Sequence, residues 1–277
     1  MLNVLQTQLF RLKKSKLFWA MFIVCAVLPV IGMIFTSAIL DFFERMLEGM
    51  DSDVVATLKS EGGEMTLNAF GSLASLSSDA ALFSAICSSI FLSGEFSGGA
   101  IRNMVIANKS RTQIFLSFLS IALIIGFSYL GVAYLSTLVC YGAAIGFGGV
   151  TVSDAISGCF VSLFLGVLSI ALVQACVVMF LFCTRKTGAT VAFPLLIIII
   201  APSIISTVVD LVTGMKILVG QEVSLTATNW IPIYNMSLFD AVDVDGALVG
   251  SIALYNVPLA ALLAFFGWFA ISKVDLK

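Results

Sequence analysis

Six stretches of this chain carry no charged residue at all: 17–40, 80–94, 112–153, 155–184, 187–209 and 246–272. A helix that crosses a bilayer needs about 20 apolar residues, because at roughly 1.5 Å per residue that length matches a hydrocarbon core about 30 Å thick. Five of the runs reach it outright. The second has 15 residues and crosses only if it begins near Ser72 and takes Asp79 close to its outer end. The run 112–153 has 42 residues, but a second crossing would leave almost no turn before Gly146, Gly148 and Gly149. It reads as one long helix, 112–147, with an outer extension. Composition agrees: 60% of the residues are hydrophobic and 11% charged, against about 45–50% and about 25% in soluble domains.

Basic residues decide the count and the orientation, since cytoplasmic loops are enriched in Lys and Arg. Six spans put Arg11, Lys13, Lys14, Lys16, Arg102, Lys109, Arg111, Arg185, Lys186, Lys273 and Lys277 on the cytoplasmic side and Arg45, Lys59 and Lys216 outside, a split of 11 to 3. Without the second span the split inverts to 5 against 9. The expectation is an all-α membrane protein with spans at 17–40, 72–94, 112–147, 155–184, 187–209 and 246–272. Both termini are then cytoplasmic, and acidic external segments fill 41–71 and 210–245. The run 17–40 is too long for a signal-peptide core and has no clear small-residue cleavage site, so it reads as a retained first span.

Ahead of that span, Leu2, Leu5, Leu9 and Leu12 recur every three or four residues and share one helical face. Residues 1–16 therefore read as an interfacial helix on the lipid bilayer, its basic end, Arg11 to Lys16, among anionic headgroups.

Several chemistries are excluded. With no histidine, imidazole metal sites and Ser/His or Cys/His nucleophile pairs cannot be built. The six cysteines fall inside apolar runs with no CxxC spacing and read as small buried hydrophobes. No metal cluster and no nucleic-acid footprint is visible. No lysine follows a glycine, so the phosphate-cradling G-x-x-x-x-G-K-[ST] loop is absent.

The most informative segment joins the second and third spans: Gly94-Glu95-Phe96-Ser97-Gly98-Gly99-Ala100-Ile101-Arg102-Asn103, then Ser110-Arg111-Thr112. A carboxylate at the cytoplasmic end of an apolar helix is costly unless paired. The partner for Glu95 is a basic residue such as Arg102 or one near the first helix. This segment resembles the permease subunits of type-2 ABC exporters, including bacterial peptide, bacteriocin and drug export or immunity permeases. In these a Glu ends the second span, a Gly, an Ile and a basic residue follow, and Ser-Arg opens the third span. Ala100 stands where the family commonly has Thr or Ser, and Ser117 where a Lys is common.

The resemblance implies that 95–111 holds a coupling helix, with Glu95, Gly98, Gly99, Ile101, Arg102 and Arg111 transmitting motion from an ATPase. It also implies a bacterial inner membrane, no cofactor in this chain, and ATP with Mg on two copies of a separate cytoplasmic ATP-binding subunit. A second permease copy, forming a homodimer, would complete the pore.

Spans two and five would face its cavity, which makes Ser84, Ser88 and Phe91, with Ser203, Thr207 and Asp210, candidates to line the path. For the serines, a role as small residues that let helices pack closely is the favoured reading. Gln174, the one amide deep in span four, reads as making an interhelical hydrogen bond, and Pro194, Pro202 and Pro258 as sources of kinks. The function expected is ATP-driven export of a hydrophobic or amphipathic substrate by a chain that is not itself an enzyme. An ion-coupled secondary transporter or an intramembrane enzyme is the alternative.

Overall fold

A computed structural model of the protein describes residues 2–48, 69–99, 101, 104, 106, 110–144, 152–200, 204 and 246–273. Among them every regular element is helical, as hydrocarbon requires, because only a helix or a closed barrel pairs all its backbone groups without water. The elements are α1 (Leu2–Lys14), α2 (Lys16–Glu48), α3 (Ala69–Ser97), α4 (Arg111–Ala144), α5 (Val152–Thr184), α6 (Thr187–Pro194), a π-helical segment (Leu195–Ile200) and α7 (Gly246–Lys273). Five of these, α2, α3, α4, α5 and α7, are long and apolar enough to cross a membrane.

Each expected span but the fifth lies largely within one of these long helices, and α2 continues eight residues past position 40, to Glu48. α4 runs unbroken for 34 residues, about 51 Å at the usual rise, as the single-helix reading of that long run requires. The fifth expected span is described only through α6 and the π segment, a shorter apolar stretch. The π segment begins at the residue after Pro194. A proline removes one backbone donor, and a π-turn is one way a helix absorbs the lost bond. The segment 210–245 expected to be external, most of 41–71, and positions 100, 102, 103, 105 and 107–109 of the expected coupling loop lie outside the described residues.

Side-chain contacts fix the direction of each helix. Tyr129 of α4 donates from its hydroxyl to the Phe18 carbonyl at 3.0 Å. Farther along, a Cβ on Gly32 would sit 3.0 Å from the Tyr141 hydroxyl, so α2 and α4 run the same way. In α3 and α5, Ser84 meets Gln174 and Phe96 meets Phe182, again a parallel pair. α4 and α5 run oppositely, since Phe118 contacts Phe182 while Tyr134 donates to the Cys159 carbonyl at 2.6 Å.

α5 and α7 are parallel: Leu165 and Ile252 pack together with Val161 and Val249, and Gly267 backs onto Met179. This register, offset by 87 to 88 positions, sets Ser169 level with Asn256. Both are buried, and Ser169 Oγ and Asn256 Nδ2 have no hydrogen-bond partner among the described residues.

The directions bring the start of α2, the end of α3, the start of α4, the end of α5 and the end of α7 to one end of the bundle. Eight of the nine described basic residues lie there: Arg11, Lys13, Lys14, Lys16, Arg111, Arg185, Lys186 and Lys273, with Arg45 at the other end. α4 and α5 form the centre, and α2 and α7 lie at the periphery. α2 turns Trp19, Ile23, Val27, Ile34 and Phe35 outward, an apolar face that a bilayer solvates and water would not.

Lipid offers apolar side chains as good a home as a neighbouring helix does, so helices associate through close packing and polar contacts. Gly126 of α4 shows the first. A Cβ there would lie 2.4 Å from Ile170 Cγ2 and 3.1 Å from Gln174 Cγ, closer than atoms approach. Gly126→Val is therefore expected to cost about 1–3 kcal/mol through overpacking. The check is a thermal melt in mild detergent, with the same substitution at Gly131, where a Cβ meets open space, leaving the midpoint nearly unchanged.

Candidate functional site

The coupling region is built from the end of α3 upward. α3 stops because Gly98 N–H returns to the Gly94 carbonyl at 2.9 Å, Gly99 N–H reaches the Phe96 carbonyl at 3.4 Å, and Gly99 takes φ +75°. That left-handed conformation is open to glycine at no steric cost. Two residues on, Ile101 is buried in the main core and ties the start of the loop to the bundle.

One turn before the stop sits Glu95, 9% exposed. Its partner comes from α1: Arg11 Nη1 donates to both carboxylate oxygens, at 3.0 Å to Oε1 and 2.8 Å to Oε2. Of the two sequence-level options, a neighbour in the loop or a cation near the first helix, the geometry displays the second. Arg102 lies outside the described residues. The pair is asymmetric, with Arg11 half exposed while Glu95 is buried. Removing the arginine strands a carboxylate, whereas removing the carboxylate lets the arginine turn to water.

The Ser-Arg pair has a local explanation. Ser110 caps α4, its hydroxyl accepting from Gln113 N–H at 3.3 Å and its carbonyl from Ile114 N–H at 3.1 Å. Arg111, exposed, donates through Nη1 to the Ser272 carbonyl in the last turn of α7. A cation there complements the negative end of the helix dipole. Trp268 Nε1 adds a bond to Thr112 Oγ1 at 3.2 Å. Arg111 thus clasps two spans together, whatever else its remaining donors meet.

Of the candidate path residues, Ser84, Ser88 and Phe91 are described, and the two serines face neighbouring helices. Ser84 and Ser88 are fully enclosed. Ser84 Oγ donates to the Ala81 carbonyl at 3.0 Å and accepts from Gln174 Nε2 at 3.0 Å, and Ser88 Oγ donates to the Ala85 carbonyl at 3.2 Å. Phe91 is half-buried against the same core. Ser203, Thr207 and Asp210 lie outside the described residues. Gln174 takes the interhelical role expected of it, with Oε1 left without a partner among the described residues.

Two contacts escaped sequence reasoning. Ser89 Oγ donates across to the Thr190 carbonyl at 3.0 Å, tying α3 to α6. Gln8, three residues after Leu5 and four before Leu12, falls on the leucine face of α1 and is 1% exposed. The helical spacing that grouped the leucines was the signal for it. Among the described residues no cluster of His, Cys, Asp or Glu has the makings of a metal site.

Arg11→Ala is expected to lower the melting midpoint in detergent more than Glu95→Gln, because only the first leaves a buried charge unpaired. A double-mutant cycle on Ser84→Ala and Gln174→Leu should return a coupling of about 0.6–1.7 kcal/mol, the range for hydrogen bonds between membrane helices. No protein-family model matches the chain, and comparison with curated proteins yields no match.

Proposed function

We propose that this chain is the membrane half of an ATP-driven exporter of the type-2 ABC kind, moving a hydrophobic or amphipathic substrate with energy from a separate ATP-binding subunit. One observation carries the reading: the Arg11–Glu95 pair joins the N-terminal helix to the cytoplasmic end of the second span, three residues before the Gly98-Gly99 turn that opens the loop to the third. A force applied to that loop by a soluble motor meets a buried, ion-paired anchor rather than a frayed helix end.

Topology supports the same reading. α6 folds back along α5, with Thr190 facing Thr184 and Phe193 stacked on Phe180. α5 and α7 nonetheless run parallel. A crossing by the uncharged run 187–209 would return the chain to the side where α7 begins and bring the count to six. With the basic end of the bundle cytoplasmic, both termini and the 95–111 loop face the interior of the cell. Six spans supply half of such a pore, so two copies would enclose the path, in the inner membrane of a bacterium.

Among the described residues, the buried polar side chains at bundle depth, including Ser84, Ser88, Thr137, Ser169, Gln174 and Asn256, are uncharged. They offer neither the acid–base pair an intramembrane enzyme uses nor the midplane charge of an ion-coupled carrier. They suit a pathway whose work is done elsewhere.

The test is co-purification of the tagged chain in mild detergent from its own host, followed by vanadate-sensitive ATP hydrolysis. A stoichiometric ATP-binding subunit is expected. Glu95→Ala or Arg11→Ala should lower the coupled hydrolysis by roughly tenfold, within the range of ordinary coupling energies, with membrane insertion intact. An inactive chain with no such subunit would end the exporter reading, and unchanged hydrolysis in both variants would remove the pair from the mechanism.

A further inference from the structure

α1 is held against the bundle by contacts that disagree with one another. Leu5, Leu9 and Leu12 pack into the main core, against α4 and α2. Between them Gln8 is 1% exposed, and neither its Nε2 nor its Oε1 has a hydrogen-bond partner among the described residues. An amide buried in this way forfeits its bonds to water and receives nothing in exchange. The helix is joined to α2 by one non-helical residue, Ser15, whose hydroxyl accepts from Phe18 N–H at 3.4 Å, so α1 has a pivot and a capped helix beyond it. Its outer side presents Phe10, 60% exposed, with Lys14 Nζ 4.3 Å above the ring, and Lys13 beside them.

We propose that α1 is a two-position latch, docked against the bundle with Gln8 buried or released about Ser15 onto the headgroup layer. The leucines are satisfied in both positions, by the core in one and by the acyl boundary in the other. The Gln8 amide is satisfied only in the second, where water reaches it. The Arg11–Glu95 pair is satisfied only in the first and acts as the catch. Two opposed polar interactions of similar size keep the positions close in free energy, as a switch requires. A displacement of the end of α3 that separates Glu95 from Arg11 frees the helix. The latch does not depend on what drives that displacement.

Tryptic release of an N-terminal tag, by cleavage after Arg11, Lys13 or Lys14, reads the released population in the full-length protein held in phosphatidylcholine nanodiscs. Alkylation of the buried Cys87 and Cys176, mapped by mass spectrometry, serves as the control for general unfolding. Gln8→Leu should slow tag release roughly tenfold, the factor expected from removing an unmade hydrogen bond. Glu95→Gln should speed it by a similar factor, and the double variant should return near the wild-type rate. In nanodiscs with one-third phosphatidylglycerol the Glu95→Gln protein should regain protection, because the basic helix then lies on an anionic surface. A Gln8→Leu protein cut as fast as wild type or faster, with the control cysteines still protected, would overturn the latch. Indifference of Glu95→Gln to the anionic lipid would overturn its second position.

Discussion

Hydrocarbon supplies no hydrogen bonds, and most of this protein follows from that. Each backbone donor and acceptor at membrane depth has to be paired within its own helix, so the described residues fold into long helices and irregular backbone is pushed to the ends. After Pro194 the chain continues as a π segment rather than a loop, while Pro29 and Pro258 stand inside unbroken α-helices. The same scarcity governs side chains. Hydroxyls of Ser84, Ser88, Ser93 and Ser117 donate back to carbonyls three residues earlier. Only a few polar groups, Gln174 and Ser89 among them, reach across to another helix.

Since lipid does not push helices together, association rests on fit. α4 and α5 approach closely at Gly126, and aromatic contacts of Phe182 with Phe96, Phe115 and Phe118 knit three helices at the basic end. The Arg11–Glu95 pair sits at that same end, where the apolar bundle gives way to charge. It joins an element that lies beside the bundle to the tip of one that crosses it. This position makes it mechanically useful: a charge pair at membrane depth would be too costly to break, and one in free water too weak to hold.

The resemblance to exporter permeases rests on a short segment, and the structure gives its residues physical work independent of any family. Gly99 adopts the left-handed conformation that ends α3, Ser110 caps α4, Arg111 binds the terminal carbonyl of Ser272, and Glu95 anchors α1.

Helix content, the presence of long apolar helices and the concentration of positive charge at one end were legible in the sequence, because bilayer thickness and the energetics of charge act on each segment separately. The interfacial periodicity of α1 was legible for the same reason, as was the need of Glu95 for a cation. Which cation answers it was not: Arg11 lies 84 positions away, and only the packing of α1 against the bundle brings the two together. The serines of α3 could be assigned to a face by their spacing, but whether that face meets a cavity or a neighbour depends on α5, whose Gln174 encloses Ser84. Gln8 is the clearest case. Its place on the leucine face is written in the spacing, while its burial without a partner exists only once another helix covers it. One-dimensional pattern determined which segments are long apolar helices, and tertiary contact decided which faces meet, because in a bilayer that choice turns on shape and a handful of polar atoms.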